Sequence, residues 1–188
     1  MRKNYLSIRD ICQIAIFVAL IIVLAQVRIP MPYSVPVTLQ SFVIPFSAVV
    51  LGAKHGTIAA VVYVLLGAVG LPVFSGAAGG FGGIGAIVGP TGGFILTFPL
   101  YAFLAGWGAD RGRRVWLAVG LIVGLVLFFL CGMLQFALVT GQGLRAAFGV
   151  TVFPFFFPIP TELIKVLFVW VLGPRVRGLM HRALQQNG

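Results

Sequence analysis

Long apolar runs with almost no charge are the feature that most constrains this chain. Each of five runs holds about 17 residues or more, enough to cross a ~30 Å hydrocarbon core as a helix. The whole sequence is 60% hydrophobic and 9% charged, so a soluble fold would lack the charge needed to cover its surface. We therefore predict an all-α integral membrane protein, a single membrane domain over residues 1–188, with plain spans at residues 11–27, 57–73, 92–108, 115–140 and 150–172.

A sixth run, at residues 37–51, is short and contains Pro45, so it either spans or re-enters. Loop Lys and Arg favour the cytoplasmic side of a membrane. With six spans, ten basic residues fall on the side of the N-terminus, Arg28 and Arg145 fall on the other side, and Lys165 lies within a span. With five spans, four basic residues would fall on the side of the N-terminus and eight on the other side. The charges therefore predict six transmembrane helices with both termini cytoplasmic.

The formal net charge of +10 does not indicate a nucleic-acid-binding protein. Such proteins gather their basic residues on one folded face. Here the basic residues stand in short clusters between apolar runs, which is typical of loops that face anionic lipid and the cytoplasm. We expect the bilayer to be the partner of this charge and expect no nucleic acid.

Three unusual segments fall on the predicted outer face, and the first is residues 30–40, with three closely spaced prolines. Prolines at this spacing forbid a regular helix and favour extended or turn geometry. A stiff connector is an equal alternative for the prolines. Thr38 and Gln40 lead into the second span, where a buried amide needs a hydrogen-bond partner.

The second segment, residues 70–93, is rich in glycine and has no charged residue. Glycines allow close backbone approach, which suits a loop folded over a ligand, although a flexible connector is the alternative. Gly80–Gly85 matches the dinucleotide pattern G-x-G-x-x-G, but the match is spurious without a βαβ context. The run Gly89, Pro90, Thr91, Gly92 and Gly93 opens into the fourth span, where free amides form a hydrogen-bonding site.

The third segment, residues 153–165, ends in Glu162 and Lys165 after a phenylalanine-rich and proline-rich stretch. The two residues stand at i and i+3 and share one helical face. An isolated charge at the bilayer centre costs about 2.5–3.5 kcal/mol, so this pair marks either a functional site or a structural ion pair. The phenylalanines favour a pocket wall over an interfacial belt. Together the three segments predict an outer-face site for a compact ligand with an apolar body and hydrogen-bonding edges.

These motifs resemble the BioY family, the biotin-specific S components of energy-coupling-factor (ECF) transporters. The resemblance rests on residues 36–40, 70–74, 89–93 and the acid-x-x-Lys of 162–165, in order over nearly the whole chain. It implies six helices with biotin, as transported ligand and not as cofactor, at the outer face. It also implies that Lys165 contacts the ligand, while Glu162 stands where the family more often has Asp. The substrate-binding residues that we predict are Thr38, Gln40, Phe74, Gly89, Pro90, Thr91, Gly92, Gly93, Glu162 and Lys165.

The sequence has no phosphate-binding loop for ATP, so the resemblance implies partners that supply energy: a transmembrane coupling protein and two ATPases in a prokaryotic plasma membrane. Ala15 and Ala19 resemble the family's Ala-x-x-x-Ala docking motif. Small residues four apart let another helix approach closely. Spacing alone does not distinguish docking from packing within the bundle, because Gly120 and Gly124 have the same spacing.

Three alternatives compete with this interpretation. An S component for another vitamin would share the architecture, and only the loop motifs favour biotin. An intramembrane enzyme is disfavoured because His55 and His181 are the only histidines and no nucleophile–base or metal constellation is visible. A channel is disfavoured because no span carries a polar stripe or a ring of charge.

Overall fold

The computed structural model describes residues 6–29, 35–75, 82–156 and 160–186. Within these ranges the chain forms helices and one short pair of strands. The helices are α1 (Ile8–Ala25), α2 (Gln40–Leu51), α3 (Ala53–Ala68), α4 (Ile84–Val88), α5 (Gly92–Asp110), α6 (Arg114–Thr140), α7 (Leu144–Thr151), α8 (Phe153–Phe156) and α9 (Thr161–Gln186). The strands β1 (Arg28–Ile29) and β2 (Val37–Thr38) pair antiparallel, with Arg28 opposite Thr38.

The helices confirm a helical membrane protein. Among the described residues, α1, α5 and α6 are long and apolar enough to cross a membrane. The bent pair formed by residues 144–156 and 161–183 brings the number to four when the pair is counted as one span. Helices α2 and α3 are apolar but shorter. The count of six spans and the orientation of the termini stay predictions.

Three helices differ from the spans expected at residues 37–51, 57–73 and 150–172, and of these α3 covers Ala53–Ala68. Val37 and Thr38 are extended and α2 begins only at Gln40. The last long helix begins at Thr161, directly after Pro160, and continues to Gln186. Proline disfavours helical geometry in the residue before it but fits the start of a helix, so α9 begins after the proline-rich stretch. The hydropathy of the sequence alone does not show where these helices begin.

Helix α5 is the centre of the bundle and packs against α6, α3, α2 and α4. Glycines make the contact with α6 close. A Cβ on Gly120 would lie 2.2 Å from the Leu104 carbonyl oxygen, and one on Gly124 would lie 2.3 Å from the Tyr101 ring. This pair of glycines therefore serves packing within the bundle, one of the two uses that its spacing allowed.

Candidate ligand-binding site

A cavity lies between the N-terminal end of α5, the start of α2 and the start of α9. Its aromatic wall comes from three helices, α5, α6 and α8, and the loop after α3: Phe74, Phe94, Phe98, Phe128 and Phe155. Its polar groups come from Thr38, Gln40, Ser41, Ser75, Thr91 and Glu162. Five of the predicted binding residues, Thr38, Gln40, Phe74, Thr91 and Glu162, are thus brought together from distant parts of the chain.

Ring contacts hold the aromatic wall in place. Phe128 of α6 stacks on Phe98 at 5.6 Å between ring centroids and meets Phe94 at 4.9 Å. Phe74 meets the Tyr63 ring edge-on at 5.6 Å. Phenylalanine rings in such offset and edge-to-face contacts form a rigid apolar surface. The wall therefore offers an apolar surface to a flat ring.

Lys165 lies behind the polar side of the cavity and has its donors occupied. Its Nζ donates to the Thr38 carbonyl oxygen at 2.8 Å, to Ser41 Oγ at 3.0 Å and to Glu162 Oε1. An ammonium group has three donors, so none is left for a ligand in this arrangement. Lys165 therefore positions Glu162 and the start of α2.

Glu162 has the one acidic side chain among the described residues of the cavity wall. It is 1% exposed and lies in the first turn of α9, where the helix dipole favours a negative charge. One carboxylate oxygen, Oε1, is bonded to Lys165, whereas Oε2 is buried without a hydrogen-bond partner. An unsatisfied buried acceptor is costly, so Oε2 is suited to receive an N–H donor from a ligand.

Gln40 continues the hydrogen-bond network away from the cavity. Its Nε2 donates to Tyr63 Oη, which donates to the Val73 carbonyl oxygen at 3.1 Å. Thr38 Oγ1 donates to Gln40 Oε1 at 3.2 Å. The amide has the partners that its buried position required, and it ties α2 to α3 and to the loop that carries Phe74.

Gly92 and Gly93, in the first turn of α5, make close packing contacts, and their contact with a ligand stays a prediction. A Cβ on Gly92 would lie 1.6 Å from the Ile87 carbonyl oxygen, and one on Gly93 would lie 2.3 Å from that of Cys131. Gly89 and Pro90 are half-buried in the turn and do not line the cavity. Only Thr91 of this run reaches the wall, and its side chain caps no backbone amide.

Several site residues were missed by the sequence reasoning. Gln135 of α6 donates from Nε2 to the carbonyl oxygens of Ile87 at 2.7 Å and Gly89 at 2.9 Å, and so anchors the turn before Thr91. A lone amide inside a long apolar span was the available signal. Phe94 and Phe98 stand at i and i+4 directly after the Gly–Gly pair, which places them on one helix face.

The cavity volume is about 50 Å³, whereas sites for small molecules usually run to several hundred Å³. A ligand of vitamin size therefore enters only when wall residues move. Parts of the three unusual segments, residues 30–34, 76–81 and 157–159, lie outside the described residues. The predictions for Pro30, Pro32 and the middle of the glycine-rich loop fall there.

Ala15 and Ala19 of α1 are exposed, while Ile14, Val18, Ile21 and Ala25 form the buried face of the same helix. The two alanines therefore face outward and do not pack within the described bundle. A surface of small residues on an apolar helix permits close approach by another helix.

Comparison with known proteins places the chain. A family profile described as the BioY family matches residues 1–182. A probable biotin transporter BioY of Pyrococcus horikoshii is 36% identical over 170 residues, covering 90% of this chain and 97% of that protein. The biotin transporter BioY of Thermotoga maritima is 37% identical over 172 residues, covering 91% and 97%.

A solved structure shares the fold. The crystal structure of the S-component for biotin from an ECF-type ABC transporter superposes with a TM-score of 0.80 and 24% sequence identity, covering 95% of each chain. The resemblance seen in the loop motifs is confirmed by the match over residues 1–182 and by relatives that are matched over nearly their whole length. This chain belongs to the BioY family.

Proposed function

We propose that this chain is the biotin-binding S component of an ECF-type vitamin transporter in a prokaryotic cell membrane. Its relatives are named as biotin transporters, and its structural neighbour is an S-component for biotin. The observation that carries the proposal is the aromatic cavity in which Glu162 Oε2 is buried without a partner.

The chemistry of the cavity suits biotin. Phe94, Phe98 and Phe128 offer an apolar surface to the fused rings. Glu162 Oε2 accepts a hydrogen bond from an N–H of the ureido ring, and a charged acceptor makes that bond stronger than a neutral one. The Thr91 hydroxyl provides a further polar contact. Glu162 is the contacting residue in this proposal, and Lys165 is the positioning residue.

The direction of binding follows from the predicted topology. With six spans and cytoplasmic termini, the cavity opens to the outer face, as uptake requires. The count of basic residues supports this orientation. Ala15 and Ala19 are exposed, which supports docking of a transmembrane coupling protein at this face of α1. The ATPases that associate with the coupling protein provide the driving force for transport.

A ligand panel tests the substrate. The purified protein is heated with biotin, riboflavin or thiamine, and the unfolding temperature is recorded. A ligand that binds only the folded state at about 100 times its Kd stabilises by about 2.7 kcal/mol. We expect biotin alone to raise the unfolding temperature. A shift with riboflavin or thiamine and none with biotin would assign the site to another vitamin.

A further inference from the structure

A second cavity, of about 430 Å³, lies between the α5–α6 turn and the C-terminal half of α9. Helix α5 connects the two cavities: it begins next to Thr91 at the first and ends at Asp110 on the second. A helix of 19 residues is ~28 Å long, close to the ~30 Å thickness of the hydrocarbon core. The second cavity therefore lies at the opposite membrane surface from the first.

The lining of this cavity is positively charged. Arg113, Arg114, Arg177 and His181 line it together with one acid, Asp110. Three arginines and one aspartate leave a net charge of +2 with neutral histidine. Asp110 is already engaged, because it accepts the Ala53 N–H at 2.9 Å and pairs with Arg177 at 2.7 Å. The remaining charge favours an anionic ligand.

Arg113 is the basic side chain that is best placed to bind such a ligand. Across the described residues its guanidinium group forms no hydrogen bond and no ion pair. It stands at the N-cap of α6, where no side chain caps the helix and no acid occupies the first turn. The positive end of a 27-residue helix adds to the attraction for an anion.

Tryptophans place this cavity at the level of lipid headgroups. The sequence has three tryptophans, and all of them are at this end of the molecule. The Arg111 guanidinium lies 3.9 Å from the ring centroid of Trp107 and 4.7 Å from that of Trp116. Trp170 donates from Nε1 to the Arg114 carbonyl oxygen at 3.2 Å. Tryptophans are enriched at membrane–water interfaces, so a surrounding bilayer would have its phosphate groups at the level of these arginines.

We propose that this cavity binds the phosphate headgroup of an anionic phospholipid. The guanidinium fork matches the geometry of phosphate oxygens. Val49, Leu117 and Pro174 add an apolar side to the cavity, which suits an amphiphile more than a free inorganic ion. Basic pockets between transmembrane helices bind such headgroups. The proposal does not depend on the identity of the transported vitamin.

Native mass spectrometry of the detergent-purified protein tests it, with phosphatidylglycerol and phosphatidylcholine as probes. We expect selective retention of one phosphatidylglycerol. Arg113→Gln should lower its affinity about fivefold, the size expected for one basic side chain near anionic lipid. Arg113→Lys should lose less, because it keeps the charge. Arg145→Gln is the matched control, since Arg145 is an exposed arginine on α7, outside this cavity.

Three results would overturn the proposal. The first is equal retention of both lipids, and the second is an equal loss of phosphatidylglycerol in Arg113→Gln and Arg145→Gln. The third is displacement of the lipid by millimolar inorganic phosphate, which would identify a free-phosphate site instead. Biotin binding by Arg113→Gln is measured in parallel and should be unchanged, which shows that the variant is folded.

Discussion

At the scale of single residues, Glu162 and Lys165 show what a sequence can and cannot reveal. Their spacing and their position in an apolar span predicted an adjacent pair, either a functional site or a structural ion pair. The sequence did not reveal their different roles. Lys165 is held by Thr38 and Ser41, more than 120 positions away, and only folding brings those acceptors to it. Lys165 also donates to Glu162 Oε1, and Glu162 Oε2 stays without a hydrogen-bond partner.

Removal of Lys165 tests its positioning role. Lys165→Ala leaves Glu162 buried without its counter-ion, and a buried unpaired charge is strongly unfavourable. We expect biotin binding to weaken about tenfold or more, a loss of at least ~1.4 kcal/mol, by calorimetry. Lys54→Ala, on an exposed side chain of α3, is the control. Unchanged binding in Lys165→Ala would remove Lys165 from the site.

Two substitutions of Glu162 test its role as the contacting acceptor. Glu162→Gln keeps the size but loses the charge, so the bond to a ligand N–H becomes weaker. We expect its affinity for biotin to fall about tenfold by calorimetry, and that of Glu162→Asp to fall less, because the carboxylate is kept. Equal affinity in Glu162→Gln and the parent chain would show that the free oxygen does not receive the ligand.

At the scale of elements, the apolar runs predicted where long helices lie, and the glycine-rich run before α5 predicted a special backbone. Two of its glycines make close packing contacts, and their contact with a ligand stays a prediction. Gly92 and Gly93 let α4 and α6 approach α5, and α6 is distant in sequence. The sequence shows small residues at these positions but not which atoms lie opposite them. Sequence alone therefore could not distinguish packing from ligand contact.

Substitution of Gly93 tests the packing role. The new Cβ in Gly93→Ala would collide with backbone atoms of Cys131, and overpacking of this kind costs about 1–3 kcal/mol. We expect a lower unfolding temperature in a thermal scan. Gly149→Ala is the matched control, because nothing lies within 4 Å of its Cβ position. Equal unfolding temperatures in the two variants would exclude close packing at Gly93.

The outward-facing alanines of α1 make a separate prediction. A tryptophan at either position would hold a partner helix away, so Ala15→Trp or Ala19→Trp should abolish co-purification with the coupling protein while biotin still binds. Leu138→Trp, at an 83% exposed position on α6, is the control. Continued co-purification and transport by the alanine variants would contradict the docking role.

At the scale of the whole molecule, the central helix α5 joins an aromatic cavity at one end to a basic cavity at the other. The distribution of Lys and Arg predicted two unlike ends, because charge outside the bilayer is visible in sequence. The second cavity was not predicted, since it arises where α9 continues 14 residues past the expected end of its span, to Gln186, and meets the α5–α6 turn.

Calorimetric titration of the detergent-purified protein with biotin tests the central claim most directly, with riboflavin and thiamine as controls. The account predicts tight binding of one biotin per chain and no heat from the other vitamins. Absence of biotin binding by a folded, monodisperse sample would contradict it, and binding of another vitamin in its place would reassign the substrate.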